Sequence, residues 1–393
     1  MQKLQLKIHE ERRLRAGHMW AYSNEIDTTA TPIKGMVPGS LCALMDYRGK
    51  PLGVATVNPH VLLAVRVLSG QGDAEIDVDF FERRLRQALA LRARRFPSPH
   101  YRLVFGESDG LPGLVVDRFG DVLTVQVTTA GMELLKPLLI EALQRTLSPK
   151  GILFRNDNAM RQTEGLATGE DEVIGDVPDW LQVDESGVLL DAPLKTGQKT
   201  GWYYDQRANR DRLAPYAKGA RVLDVFSYVG GWALRSAAFG AAEVSCIDSS
   251  QPALDAAQRS AKNNGVRLET IKSDALEALK ALRADGRQFD LIIVDPPALI
   301  KRKKDEETGM AHYGALNRAA MHLLAADAVL VSCSCSHHLS EEQLQRILLR
   351  ESRQAGRRLQ ILERGEQGPD HPVHPAIPET RYLKAFYCRV TTG

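Results

Sequence analysis

The chain has 393 residues and a formal net charge of +2 at pH 7. This length predicts two or three domains, each large enough to bury a hydrophobic core. The near neutrality excludes a strongly basic protein, so any affinity for nucleic acid must come from local basic patches. Three such patches occur in the sequence: KIHEERRLRAGH near the N-terminus, FERRLRQALALRARR at 81–95 and KRKK at 301–304.

No apolar run approaches the roughly 18 residues of a membrane-spanning helix, and no signal peptide is recognisable. We therefore expect a cytoplasmic protein without a membrane partner. The five cysteines are scattered along the chain, which predicts reduced thiols rather than a disulfide framework. Cys333 and Cys335 stand one residue apart, but they lack a second pair at zinc-site spacing and do not form C-x-x-C. We expect no metal site, and this cysteine pair requires another explanation.

Residues 1 to about 70 alternate short β-like runs with turn signals, which predicts a small β-barrel. An arginine-rich helix is expected over Phe80–Arg95. A strand–turn–strand pattern with Gly and Pro at its bends follows, and then a helix near 131–146. Residues 71–190 are therefore predicted to form a central α+β domain.

From about residue 217 onward, predicted strands and helices alternate strictly. Continuous apolar strands in such an order are typical of an α/β fold with a parallel sheet covered on both faces. A helix over 311–325, the strand AVLVSCS and a helix over 340–355 follow. The last two strand-like runs, RLQILE and RYLKAFYCRV, have no long helix between them, so we expect them to pair antiparallel at the sheet edge.

Polar side chains and glycines mark the ends of four successive predicted strands. Gly230 and Gly231 form a turn that lets the backbone approach a ligand, but GxGxxG is absent, which disfavours a dinucleotide. Asp248 ends the second strand and suits two ribose hydroxyls, while Asp274 ends the third near the expected adenine amino group. Helix capping is the alternative for both aspartates. With Asp295 after the fourth strand, the pattern describes a nucleoside cleft without a phosphate cradle, which suits S-adenosylmethionine.

Several longer motifs resemble the ribosomal RNA large subunit methyltransferase I family: GESDGLPGLVVDRFG, GQKTGWYYDQRANR, FSYVGG, VDPPALI, SCS and DHPVHPAIPETRYLKAFYCRV. The resemblance runs nearly end to end. It implies an N-terminal PUA-like RNA-binding domain over 1–70, a central EEHEE-like α+β domain over 71–190 and a Rossmann-like class I methyltransferase domain over 191–393. The implied activity is formation of 5-methylcytosine in 23S ribosomal RNA, with a homodimer left open.

The same resemblance implies S-adenosylmethionine as the cofactor and makes KTGWYYDQR a lid over it. The resemblance and the strand-end positions together predict the following cofactor-binding residues: Thr200, Tyr203, Tyr204, Asp205, Arg207, Asp224, Phe226, Ser227, Gly230, Asp248, Ser249, Asp274, Asp295 and Pro296.

The chemistry of the implied reaction explains the cysteine pair. Cytosine C5 is too weak a nucleophile to take a methyl group from a sulfonium, and attack of a thiolate on C6 activates it. Matching SCS to the family motif identifies Cys335 as the nucleophile and leaves Cys333 as a small buried hydrophobe. Asp295 is expected to hydrogen-bond the base, with a pKa raised by burial. The identity of the base that removes the C5 proton is left open, and the candidates are Cys333, His337 and a bound water.

Two other functions are compatible with parts of the sequence. A methyltransferase that acts on a ring nitrogen, such as guanine N7, would not need Cys335. A non-catalytic RNA-binding scaffold would use the N-terminal barrel and the arginine-rich helix, but it would need neither the strand-end aspartates nor the cysteine. The target nucleotide depends on the assembled surface and on single-stranded access, so the sequence does not name it.

Overall fold

The computed structural model describes residues 1–393, and these residues form two compact units. The first unit comprises Met1–Asp179, Gln198–Trp202 and Pro369–Thr380. The second comprises Trp180–Gly197, Tyr203–Gly368 and Arg381–Gly393. The domain boundaries predicted near residues 70 and 190 stay a prediction. No helix combines the length and the hydropathy that a bilayer span requires.

The first unit begins with a small β domain. Its elements are β1 (Gln2–Gln5), α1 (Glu11–Arg15), β2 (Trp20–Ala21), β3 (Ser40–Met45), β4 (Pro51–Val57) and β5 (Val65–Ser69). The strands form one sheet in the order β1-β3-β4-β5-β2, in which β1 runs parallel to β3 and the other pairs are antiparallel. Alternate side chains of β3, Cys42 and Leu44, are buried in its core. The predicted N-terminal β domain is confirmed.

A central α+β block completes the first unit. Its elements are α2 (Val78–Ala93), β6 (His100–Phe105), β7 (Leu114–Phe119), β8 (Val122–Val127), α3 (Ala130–Leu134), α4 (Lys136–Leu147), β9 (Gly151–Phe154), α5 (Ala159–Thr163) and β10 (Glu172–Gly175). The sheet order is β10-β9-β8-β7-β6, and only β8 and β9 are parallel. Helices α2 and α4 pack together and share one core with the sheet. The predicted α+β fold is confirmed, whereas the order of its elements differs from EEHEE by the additional strand β6 and by the helix α5 between β9 and β10.

The arginine-rich helix α2 is not solvated on all sides. Arg92 is 0% exposed, and its guanidinium donates to both carboxylate oxygens of Asp109 at 2.6 and 2.8 Å and to the carbonyl of Arg102 at 2.9 Å. A buried charge is tolerated when it is paired and hydrogen-bonded in this way. One arginine of the helix therefore stabilises the fold. The exposed arginines of this segment are Arg83, Arg86, Arg94 and Arg95.

The second unit opens with a hairpin and continues as an α/β sheet. Its elements are β11 (Trp180–Glu185), β12 (Val188–Pro193), α6 (Arg207–Asp211), α7 (Ala214–Ala217), β13 (Arg221–Val225), α8 (Gly231–Ala238), β14 (Glu243–Asp248), α9 (Gln251–Asn263), β15 (Glu269–Lys272), α10 (Ala275–Ala284), β16 (Phe289–Val294), α11 (Glu306–Leu323), β17 (Leu324–Ser334), α12 (Glu341–Gln354), β18 (Arg357–Gly365) and β19 (Lys384–Thr392).

The large sheet has the strand order β15-β14-β13-β16-β17-β19-β18. Strands β13 to β17 are parallel, whereas β19 runs antiparallel to both of its neighbours. The antiparallel pairing expected for the last two strands is confirmed, and β19 also inserts between β17 and β18. The strand order reverses at β13, which pairs with both β14 and β16. Open α/β sheets bind ligands outside the carboxyl ends of the strands at such a switch point.

Candidate active site

The loop after β13 is strained and folds onto the end of β14. Phe226, Tyr228 and Gly230 have φ values of 67°, 49° and 80°. The N–H groups of Phe226 and Ser227 both donate to the carbonyl of Ile247 at 3.0 Å. Left-handed conformations at non-glycine residues cost about 1–3 kcal/mol each and cluster at functional sites. The FSYVGG segment is therefore held in a strained conformation at the switch point by its hydrogen bonds to β14.

Gly230 satisfies a packing constraint within the protein. A Cβ atom there would lie 3.0 Å from the Cβ of Ala257 and 3.8 Å from the Sγ of Cys246. The missing side chain thus lets α8 pack against α9, and glycine also adopts the left-handed φ readily. The backbone approach to a ligand predicted for Gly230 stays a prediction.

Asp248 ends β14, and both of its carboxylate oxygens are fixed by the backbone. One oxygen accepts from the N–H of Tyr228 at 2.8 Å and the other from the N–H of Ser250 at 2.9 Å. Each carboxylate oxygen has a second lone pair, so the carboxylate still has room for two further donors, such as ribose hydroxyls. The neighbouring Ser249 is exposed.

Asp274 caps helix α10, as the alternative from the sequence proposed. Its Oδ1 accepts from the N–H groups of Leu276 at 2.9 Å and Glu277 at 3.3 Å. The side chain is exposed at the carboxyl end of β15, on the same edge of the sheet as Asp248. Capping accounts for Oδ1, and a contact with adenine stays a prediction.

Asp224 is fully buried near the end of β13. Its Oδ2 accepts from the N–H of Ala233 at 3.1 Å, whereas Oδ1 is buried without a hydrogen-bond partner. Burial raises the pKa of this carboxyl group to about 8. A buried acceptor without a donor is costly, and such groups in native structures point to a bound ion, water or ligand.

Asp295 follows β16 and is clamped between two side-chain donors. Its Oδ1 accepts from Gln206 Nε2 at 2.9 Å and its Oδ2 from the indole Nε1 of Trp232 at 2.9 Å. Asn209 donates to Gln206 Oε1 at 2.7 Å and so fixes which end of the amide faces the carboxylate. Desolvation raises the pKa of Asp295 to about 6, although both hydrogen bonds oppose the rise. The predicted upward shift is confirmed.

Cys335 is the half-buried cysteine of the chain, and the other four are buried. It follows β17, and its Sγ lies 4.0 Å from the carbonyl oxygen of Pro296, the residue after Asp295. Cys333 is 0% exposed, and burial raises the pKa of its thiol well above the usual value. The expectation that Cys333 is a buried hydrophobe agrees with this position, and the thiol of Cys335 is the one that reaches the carboxyl edge of the sheet.

A buried hydroxyl cluster fixes the loop that carries Cys335. The hydroxyl of Tyr313 lies 2.9 Å from both Ser334 Oγ and Ser336 Oγ. Ser336 Oγ also accepts from the N–H of Ile300 at 3.1 Å. The two serines that flank the cysteine are thus tied to α11 and to the segment after β16.

Lys384 of β19 supports the same loop from the other side. It pairs with Ser334 in the sheet, and its Nζ donates to the carbonyls of Ser336 at 2.7 Å and Leu339 at 2.8 Å. Desolvation lowers the pKa of Lys384 to about 8, while its electrostatic interaction with Cys335 opposes this. An ammonium group near a thiol favours the thiolate.

The predicted lid segment is divided between the two units. Thr200 belongs to the first unit, where its Oγ1 donates to Asp117 Oδ2 at 2.5 Å. Tyr203 belongs to the second unit and packs edge-on against Tyr228, with ring centroids 5.5 Å apart. The other lid residues have contacts of their own in the second unit. Asp205 accepts from Tyr382 at 2.7 Å. Arg207 lies 5.4 Å from the centre of the Tyr204 ring.

Known proteins resemble this chain over nearly its whole length. The family description of a PUA-like domain matches residues 4–70, and that of an S-adenosylmethionine-dependent methyltransferase matches residues 168–389. The chain is 38% identical to a protein of Erwinia tasmaniensis and 37% identical to one of Serratia proteamaculans, with 99% of each chain covered. Both relatives are named Ribosomal RNA large subunit methyltransferase I. The chain belongs to the ribosomal RNA large subunit methyltransferase I family.

Solved structures show the same architecture. SMU.776, a methyltransferase complexed with SAH, superposes with a TM-score of 0.83 at 18% identity, over 99% of this chain and 100% of that chain. A SAM-dependent methyltransferase from Streptococcus mutans superposes with a TM-score of 0.82 at 19% identity and the same coverage. The class I methyltransferase fold and the family predicted from the sequence are therefore confirmed, and the cofactor of this methyltransferase is S-adenosylmethionine.

The residues of this methyltransferase fit that cofactor. S-adenosylmethionine carries an ammonium group that donates hydrogen bonds, and the oxygen of Asp224 that has no partner is a buried acceptor of the kind that such a donor requires. The carboxylate of Asp248 retains acceptor capacity at the next strand end. No group of three or more His, Cys, Asp or Glu side chains is arranged to hold a metal ion.

Four residues that support the methyltransferase site were not identified from the sequence: Gln206, Trp232, Tyr313 and Lys384. Three of them had a signal in the sequence: Gln206 lies within KTGWYYDQR, Trp232 directly follows FSYVGG, and Lys384 is the lone lysine in the otherwise apolar stretch LKAFYC. His337 and His338 are exposed, with their rings edge to face at 5.5 Å.

The raised pKa of Asp224 predicts a specific dependence of stability on pH. The folded protein keeps the Asp224 proton up to about pH 8, whereas the unfolded chain loses it near the ordinary aspartate pKa of 3.8. The native state therefore binds more protons in this window, and the free energy of unfolding falls as pH rises. Asp295 contributes in the same direction, but only up to about pH 6.

We expect Asp224→Asn to flatten this fall between pH 6 and 8, because the amide retains the acceptor for Ala233 and does not titrate. The measurement is the midpoint of urea unfolding at pH 6, 7 and 8 for wild type and variant. Asp295→Asn is the matched control, since its effect should be confined to lower pH. An equal decline in Asp224→Asn and wild type from pH 6 to 8 would show that Asp224 is already ionised.

Proposed function

We propose that the protein methylates C5 of a cytosine in 23S ribosomal RNA, through a covalent bond between Cys335 and C6 of the base. One observation carries this proposal: a half-buried thiol and a largely desolvated carboxyl group come from adjacent strand ends, with Cys335 Sγ 4.0 Å from the carbonyl of the residue after Asp295. Methylation of a ring nitrogen needs no such thiol. The names of the relatives support ribosomal RNA as the substrate class.

The proposed reaction uses these two groups in sequence. The Cys335 thiolate adds to C6, and the electron density moves toward C5 and N3. Asp295 stabilises this density by a hydrogen bond to N3 or the exocyclic amine. When bound, S-adenosylmethionine supplies an electrophilic methyl group. After C5 has taken the methyl group, a base removes the C5 proton and the thiolate leaves C6, which restores the aromatic ring.

The environment of Asp295 suits the proposed hydrogen bond to the cytosine base. Trp232 and Gln206 occupy one lone pair on each carboxylate oxygen, so a proton on a remaining lone pair is free to face the base. A pKa of about 6 keeps that proton within reach near neutral pH. Gln206, oriented by Asn209, acts as a positioning residue because it reaches the substrate only through Asp295.

The environment of Cys335 favours the thiolate. Lys384 holds a positive charge beside the loop and interacts electrostatically with Cys335. For removal of the C5 proton, Cys333 is a poor base because it is buried and its own thiol holds its proton well above neutral pH. His337, exposed on the same loop, and a bound water are the two remaining candidates.

We further propose that Asp248 binds the ribose hydroxyls of the cofactor, Asp274 the adenine and Asp224 a cationic part of the methionine group. Of the other predicted contacts, Tyr203 is the best supported by its position against the FSYVGG loop.

Asp248→Ala should weaken the binding of S-adenosylmethionine about 5-fold to 150-fold, because a hydrogen-bonding pair of hydroxyls loses its acceptor at a cost of about 1–3 kcal/mol. Titration calorimetry measures this affinity. Asp290→Ala is the control, because Asp290 binds Arg221 at the opposite edge of the same sheet. Unchanged affinity in Asp248→Ala, or an equal loss in the control, would refute the ribose assignment.

RNA that contains 5-fluorocytidine should trap the proposed intermediate, because the fluorine on C5 cannot leave as a proton does. We expect a denaturation-resistant protein–RNA adduct with wild type and with Cys333→Ser in the presence of the cofactor. Cys335→Ala should give no adduct. Gel electrophoresis and mass spectrometry of the linked peptide measure the outcome. Methylation by Cys335→Ala within about tenfold of the wild-type rate would contradict the covalent mechanism.

A further inference from the structure

The segment between β16 and α11 carries the sequence KRKK, here called the basic loop, Lys301–Lys304. All four side chains are exposed. Arg302 is engaged with the carboxylate of Asp305 at 3.0 and 3.3 Å. The three lysines form no salt bridge or hydrogen bond, so their ammonium groups are available to an anionic partner. With a net charge of only +2, the protein depends on such local clusters to attract RNA.

The basic loop is tied directly to the proposed nucleophile. The N–H of Ile300, the residue before the loop, donates to Ser336 Oγ, and Ser336 follows Cys335. Ile300 is buried against α11, where a Cβ on Gly309 would lie 2.3 Å from Ile300 Cγ1. Because neighbouring Cα atoms are about 3.8 Å apart, Lys301 cannot lie far from this anchored point. Lys301 is thus held close to the loop that contains Cys335, and Lys303 and Lys304 follow within three residues of it.

The acidic residues that follow the loop offset only part of its charge, because Asp305 interacts electrostatically with Lys304 but is hydrogen-bonded to Arg302. Asp305 is paired with Arg302, and Glu306 accepts from the side chain of Gln343. Glu306 and Glu307 lie in the first turn of α11, where carboxylates favour the helix dipole.

We propose that Lys301, Lys303 and Lys304 bind the phosphates of the nucleotides beside the target cytosine. The substrate class, ribosomal RNA, is taken from the proposed function. A base that undergoes chemistry must leave its stack, and backbone contacts on either side hold the strand while it does. Contacts to phosphate fix position without reading sequence, which suits a flexible lysine cluster next to the nucleophile. Removal of these lysines should therefore weaken RNA binding and leave the affinity for the cofactor unchanged.

The test compares the triple variant K301A/K303A/K304A with K218A/K262A/K280A. The control also removes three exposed lysines from the second unit, but away from the loops that carry Asp295 and Cys335. Binding to deproteinised 23S ribosomal RNA is measured between 50 and 200 mM salt, together with S-adenosylmethionine affinity by calorimetry. Each phosphate contact to a single strand contributes about 0.7 to the steepness with which log K falls against log salt. The slope of the loop variant should therefore be shallower than that of wild type by about 2.

The expected result is a shallower salt slope and a higher KM for RNA in the loop variant, with cofactor affinity unchanged and the control near wild type. The charge-retaining variant K301R/K303R/K304R should restore most of the slope. Equal slopes in the loop variant and the control would overturn the inference. Failure of the wild-type protein to bind ribosomal RNA would instead overturn the proposed function, so the two failures are distinguishable.

Discussion

The site depends on the desolvation of two carboxyl groups at the ends of neighbouring strands, of which Asp224 is fully buried and Asp295 half-buried. Asp224 and Asp295 lie at the carboxyl ends of β13 and β16, where the strand order reverses. Removing a carboxylate from water is unfavourable, so burial raises both pKa values, to about 8 and about 6. The fold supplies only one backbone donor to Asp224 but two side-chain donors to Asp295. This difference leaves Asp224 with one oxygen that has no donor, whereas both oxygens of Asp295 are held in place.

The position of the thiol depends on a different set of contacts. Cys335 lies just beyond the point at which β17 ends, and the flanking serines bind Tyr313 on α11. Lys384 comes from β19, the strand inserted antiparallel beside β17. The loop that carries Cys335 is therefore held by α11, by the segment after β16 and by β19. Strand β19 thus contributes a side chain to the site as well as joining β17 to the edge strand β18.

The order of strands and helices in the second unit could be predicted because strict alternation of apolar runs leaves few topologies. For the same reason Asp248 and Asp295 could be placed at one edge of the sheet, and the burial of Cys333 follows from its position inside an apolar strand. The clamp on Asp295 could not be predicted in this way. Gln206 and Trp232 are 89 and 63 residues away from it, and no local pattern encodes such contacts.

Two other differences also arise from contacts between residues that are distant in sequence. Gly230 has the spacing of a ligand-binding glycine, but its missing side chain is explained by Ala257 on the adjacent helix. Thr200 stands in a motif that suggests a single lid, yet its hydroxyl binds Asp117 in the first unit. A sequence motif shows which residues are adjacent in the chain, whereas only the folded structure shows which residue each side chain contacts.

The identity of the methylated atom tests the covalent cytosine chemistry most directly. Unmodified 23S ribosomal RNA is incubated with the protein and S-adenosylmethionine, digested to nucleosides and separated with mass detection. Chemistry through Cys335 and Asp295 predicts 5-methylcytidine as the product. A nucleoside methylated on a ring nitrogen, such as 7-methylguanosine, would contradict it, because that reaction has no use for a thiol held at the end of β17.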